Sequence, residues 1–73
     1  MSEAINQAFK DGARLGEIRE FLKTGVSDMN PMYRTEMVDY ILGEARKIAK
    51  KYPSNSTASS YLDSIEKSAT SIN

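Results

Sequence analysis

The chain has 73 residues, of which 40% are hydrophobic and 27% charged, and its formal net charge at pH 7 is zero. This composition is typical of one small folded domain, predicted over residues 1–73, and it excludes a disordered chain or a nucleic-acid tail. Cysteine and histidine are absent, which excludes disulfides, thiol nucleophiles, imidazole bases and the commonest zinc ligands. The sequence has no signal-peptide pattern and no run approaching the roughly 18 apolar residues of a membrane span. We therefore expect a cytoplasmic protein with no membrane partner and no cofactor.

Apolar residues in the first third of the chain recur with a helical period. Two glycines interrupt this pattern, and glycine in a helix interior costs about 1 kcal/mol relative to alanine. The sequence therefore predicts a helix over residues 3–11, a break near Gly12 and a second helix over residues 13–24. Gly25 follows as a typical residue at a helix C-terminus.

A long helix is predicted over residues 31–52. Asn30 is a favoured N-cap, and Pro31 fits the first helical position without penalty. Pro53 disfavours helical geometry in the residue before it, so the helix should end at Tyr52.

The last predicted helix covers residues 56–70, with Ser54 or Ser56 as its N-cap. No segment has the alternating pattern of a strand. The predicted fold class is therefore all-α, as a small bundle of three or four helices.

The long helix carries more apolar surface than one neighbour can cover. At 100° per residue, its apolar side chains span an arc of roughly 200°. One flank contains Tyr33, Met37 and Tyr40, and the other contains Val38, Leu42 and Ala49. Either the other helices of the chain cover both flanks, or a second copy or another protein covers the tyrosine and methionine flank.

The second alternative defines a candidate protein interface. Tyrosine and methionine are enriched at interface cores, and methionine adapts its shape to different surfaces. The predicted interface residues, with an arginine as polar anchor, are Met29, Met32, Tyr33, Arg34, Met37, Tyr40 and Ile41.

Catalysis has little support in the sequence. Without histidine or cysteine, an active site would need paired carboxylates, a lysine or an activated hydroxyl. The carboxylate pairs Glu17/Glu20 and Glu36/Asp39 are typical of solvated helix faces. We predict that the chain is not an enzyme.

Nucleic-acid binding is the alternative interpretation. Residues 15–36 loosely follow a helix-turn-helix pattern, with Arg34 as a candidate base-reading residue. Arg46, Lys47 and Lys50 are candidate phosphate contacts, although cations also collect at a helix C-terminus because they complement its dipole.

The sequence thus predicts a small non-enzymatic module that binds another protein or a second copy of itself, in a regulatory, inhibitory or assembly role. One alternative is a small helix-turn-helix-like DNA-binding regulator. Another is a structural subunit of a larger assembly, such as a virion.

Overall fold

The computed structural model describes residues 3–72, which form three α-helices and no strand. Helix α1 covers Glu3–Glu20, α2 covers Pro31–Lys50 and α3 covers Ser56–Ile72. The prediction of an all-α fold is confirmed. Over the same residues, no helix is long and apolar enough to cross a membrane.

Helix α1 is continuous, so the predicted break at Gly12 is wrong. Gly12 and Gly16 both keep helical geometry, and the propensity loss at two glycines is about 2 kcal/mol. Leu15, between the two glycines, and Ile18, after both of them, are buried in the core. Full burial of two such side chains contributes about 3–6 kcal/mol, which exceeds the loss at the glycines.

Between α1 and α2 the chain keeps turning instead of stopping at Gly25. A wider helical turn covers Phe21–Gly25 and a tighter one covers Val26–Asp28. Gly25 has a negative φ of −87°, so the left-handed cap expected at this glycine does not form. A Cβ at Gly25 would lie only 2.8 Å from Phe21 Cδ1, so the glycine lets the Phe21 ring pack closely against the backbone here.

The start of α2 follows the prediction. The Asn30 side chain accepts a hydrogen bond of 2.9 Å from the Met32 backbone N–H, and Pro31 occupies the first position. The helix ends at Lys50, slightly before the predicted end at Tyr52.

Helix α3 begins at the predicted residue with a different cap. Asn55 Oδ1 accepts a hydrogen bond of 3.0 Å from the Ala58 backbone N–H, so Asn55 is the N-cap instead of Ser54 or Ser56. The helix then runs to Ile72, two residues beyond its predicted end.

Within residues 3–72, one hydrophobic core lies between the three helices. Its buried members come from all of them and from the connection between α1 and α2. They are Leu15, Ile18, Leu22, Val26, Val38, Ile41, Ala45, Ile48, Ala58, Ile65 and Ala69.

Candidate functional site

One face of α2 exposes large apolar side chains. Met32 is 75% exposed, Tyr33 57%, Met37 37% and Tyr40 62%. We call these four residues the Tyr–Met stripe. An exposed apolar patch of several hundred Å² is often a functional surface.

The opposite flank of α2 is covered within the chain. Val38 and Ala45 are fully buried, and Leu42 is half-buried against the core. Helices α1 and α3 both pack on this side, and α1 approaches the stripe only at Met37. The tyrosine and methionine flank of α2, for which the sequence predicts a partner, is therefore left largely uncovered by the rest of the chain.

Ile41 lies beneath the stripe. Its side chain is only 7% exposed and belongs to the core cluster. The burial places this predicted interface residue among the residues that hold the helices together, because its position on α2 turns inward towards α1 and α3.

Arg34 and Met29 tie the connecting segment to α2. The Arg34 guanidinium Nη2 donates to the backbone carbonyls of Met29, at 3.1 Å, and Ser27, at 3.4 Å. Met29 is half-buried against the core. Arg34 is thus already engaged within the chain, and Met29 forms the inner edge of the stripe.

Two shallow grooves adjoin the stripe and share Met29 and Met37. The first has a volume of about 460 Å³ and is lined by Met29, Tyr33, Glu36, Met37 and Tyr40. The second, about 360 Å³, lies between α1 and α2 and is lined by Arg14, Glu17, Ile18, Phe21, Met29, Met37 and Ile41. Methionine side chains therefore form the ridge between two depressions that a protruding side chain can enter.

The predicted phosphate contacts separate into two groups. Arg46 forms an ion pair with Glu66 of α3, with Nη2 2.9 Å from Oε2 and Nε donating to the same oxygen at 3.0 Å. Lys47 and Lys50 are exposed and form no ion pair within residues 3–72. Of the three predicted phosphate contacts, only Lys47 and Lys50 are therefore free to bind an anionic group.

The helix-turn-helix interpretation meets a departure at Arg19. Its guanidinium stacks over the Tyr61 ring, 4.5 Å from the centroid, and so connects α1 to α3. A helix-turn-helix needs a small residue near this position so that its two helices can approach each other. In this chain the position instead holds the long Arg19 side chain, which contacts α3.

A buried carboxylate, which sequence reasoning missed, joins α1 to the end of α2. Asp11 is 6% exposed and accepts hydrogen bonds from Gln7 Nε2 at 3.0 Å, from Tyr52 Oη and from Lys51 Nζ at 3.5 Å. The Tyr52 hydrogen bond is the main cause that lowers the pKa of Asp11, with help from Gln7 and Lys51 and against the effect of burial. The same bond raises the pKa of Tyr52.

Asp11 and its three donors, Gln7, Lys51 and Tyr52, form what we call the Asp11 cluster. This cluster holds α1 to the chain that follows α2. A carboxylate that already accepts three donors and has a lowered pKa is a weak base near neutral pH. Gln7 could be paired with Asp11 from their helical spacing, but nothing local in the sequence connects Asp11 to Lys51 or Tyr52. Within residues 3–72 no three acidic side chains lie close enough to hold a metal ion.

Comparison with known proteins adds no relative. No protein-family model matches the chain, and neither a curated protein nor a solved structure matches it significantly. Function must therefore be inferred from the surfaces of this chain.

Proposed function

We propose that the chain is a small non-enzymatic protein-binding module that acts through the Tyr–Met stripe of α2. The observation that carries the proposal is the asymmetry of this helix. One flank packs against the core, with Val38 buried and Leu42 and Ala49 half-buried. The other flank presents Met32, Tyr33 and Tyr40, each more than half exposed.

Burial of this surface would supply a useful binding energy. Apolar area removed from water contributes roughly 25 cal/mol per Å², and tyrosine and methionine are among the residues enriched at the centres of interfaces. The tyrosines lose little side-chain entropy on binding, and Met37 can adjust its shape to the groove on either side. A regulatory, inhibitory or assembly role would follow from occupying a surface of the partner.

A DNA-binding role has less support from the same geometry. Arg34 and Arg46, which such a role would use, are engaged with backbone carbonyls and with Glu66 respectively. Membership of a larger structural assembly would use the same stripe and is included in the proposal as one form of protein binding.

Site-specific photo-crosslinking tests the proposal. Benzoylphenylalanine replaces Tyr40 in the stripe or, as a matched control, Thr35 on the polar side of the same helix. Each variant is irradiated in extract of the source cell, and the adducts are identified by mass spectrometry. We expect a defined protein adduct from position 40 and none from position 35. Equal adducts from both positions, or none from position 40, would contradict the proposal.

A further inference from the structure

We propose that the protein covering the Tyr–Met stripe is a second copy of this chain, with the two α2 helices packed antiparallel about a two-fold axis near Tyr40 and Gly43. This inference rests on the proposed function, since it identifies the partner of the same surface. The observations behind it are the order of charges along α2, an unexplained glycine and the exposed area.

Charged and small residues are ordered along the outer face of α2. At 100° per residue, Glu36, Tyr40, Gly43 and Lys47 fall within an arc of about 60°. The acidic residue lies towards the N-terminus of the helix and the lysine towards its C-terminus. Both are exposed, and neither forms an ion pair within residues 3–72. The face therefore has unused charges of opposite sign at its two ends.

An antiparallel arrangement brings these charges together. The midpoint between Glu36 and Lys47 coincides with the midpoint between Tyr40 and Gly43. A two-fold axis through this point sets Glu36 against Lys47 of the second copy, twice, and in the same register sets Tyr40 beside Gly43. A parallel arrangement would instead place like charges opposite each other. Charge complementarity thus selects both the partner and its direction.

Gly43 has no role inside the chain that requires a glycine. Glycine weakens a helix interior relative to alanine. Apart from its chain neighbours and the backbone of its own helix, no heavy atom lies within 4 Å of the place that the Cβ of residue 43 would occupy. An approaching tyrosine ring gives a reason for the missing side chain, because small residues let two helices come close. The two Tyr40 rings then lie next to each other across the axis.

The stripe presents more than half of the area that each partner buries in an interface of standard size. Two tyrosines and two methionines at the observed exposures present on the order of 500 Å² per copy, against about 800 Å² per partner in an interface of standard size. The charged residues beside the stripe supply much of the rest.

Reciprocal charge reversal tests the arrangement. Sedimentation equilibrium is measured from about 1 µM to about 1 mM, a range that covers weak and moderate affinities. We expect the wild-type chain to dimerise, and Glu36→Lys and Lys47→Glu to weaken the dimer at least about tenfold each, since each places two like-charge pairs in the interface. An equimolar mixture of the two variants should dimerise again, to within about threefold of the wild type.

Recovery in the mixture is specific to this geometry. When one variant pairs with the other, position 36 of each copy again faces a residue of opposite charge at position 47 of its partner. Glu36 and Lys47 are about 16 Å apart along one helix, so an effect within one chain is screened. Glu20→Lys, an acidic reversal at an exposed position of α1, is the control and should leave dimerisation unchanged. Both reversed positions are exposed, and circular dichroism verifies that each variant keeps its helices.

A wild type that stays monomeric throughout, or a mixture that does not recover, would overturn the antiparallel dimer. The crosslinking experiment distinguishes this failure from failure of the proposed function. An adduct from position 40 to a different protein retains the protein-binding module and rejects the second copy. An adduct to the chain itself supports both.

Discussion

Truncation of Ile41 should destabilise the chain far more than truncation of its neighbour Tyr40. Ile41 is 7% exposed and Tyr40 62% exposed, although they are adjacent on α2. Ile41→Ala removes buried carbons and leaves a cavity, which should cost about 2–5 kcal/mol. A domain of this size has a total stability of only about 4–11 kcal/mol, so this variant should be close to unfolding. Ile41→Val, at about 0.5–1.5 kcal/mol, gives a measurable intermediate step.

Tyr40→Ala should cost less than about 1 kcal/mol in the monomer, because little of the ring is buried and alanine is the better helix former. Urea denaturation followed by circular dichroism measures both effects. It is performed at a protein concentration low enough for the chain to be monomeric and repeated at a higher one. A loss of 2 kcal/mol or more for Tyr40→Ala in the monomer would show that the ring supports the core, and the assignment of the stripe as a free surface would be wrong. A loss that appears only at the higher concentration is expected if the stripe mediates dimerisation.

Further predictions concern glycines, caps and pH. Gly12→Ala should stabilise the chain by up to about 1 kcal/mol, because α1 is helical there and the new Cβ would meet no heavy atom within 4 Å outside its chain neighbours and its own helix backbone. Gly25→Ala should instead destabilise the chain by forcing the Phe21 ring to move, and thermal melts of the two variants measure both effects. Asn30→Ala should cost roughly 1 kcal/mol while Asn30→Asp should be nearly neutral, and equal losses in urea denaturation would mean that α2 starts at another residue. Stability should be nearly constant between about pH 6 and pH 8. It should fall as pH drops through the lowered pKa of Asp11, below its ordinary value of 3.8, because protonation removes the acceptor that the fold uses. It should fall again above pH 10, where the raised pKa of Tyr52 is approached and ionisation removes the donor. Tyr52→Phe should move the pKa of Asp11 upwards, and an NMR titration of the Asp11 carboxyl that showed no such change would refute the assigned hydrogen bond.

The sequence by itself determined the features that depend on a few neighbouring residues. The all-α class follows from the helical period, and the start of α2 follows from Asn30 and Pro31. A cap and the fixed φ of proline act within one helical turn, so distant parts of the chain have little influence on them. The helical period, which is also a local property, identified the tyrosine and methionine flank of α2 as a candidate interface.

Only the tertiary structure decided features in which a local preference competes with burial. The glycines of α1 predict a break when they are considered alone, but Leu15 and Ile18 gain more from packing on the other helices than the glycines lose. Local pattern likewise placed Ile41 with the stripe, and the positions of α1 and α3 put it in the core.

The hydrogen bonds of Asp11 show the same difference between local and tertiary features. One joins residues four positions apart, and another joins residues 41 positions apart. Asp11 could be paired with Gln7 from sequence, yet its bond with Tyr52 exists only because α1 lies beside the end of α2. Which flank of α2 remained uncovered also depended on the directions in which α1 and α3 pack. Helical period determines that a flank is apolar, but only contacts between residues far apart in the chain determine whether that flank is buried, because burial is a property of the assembled helices and not of any one of them.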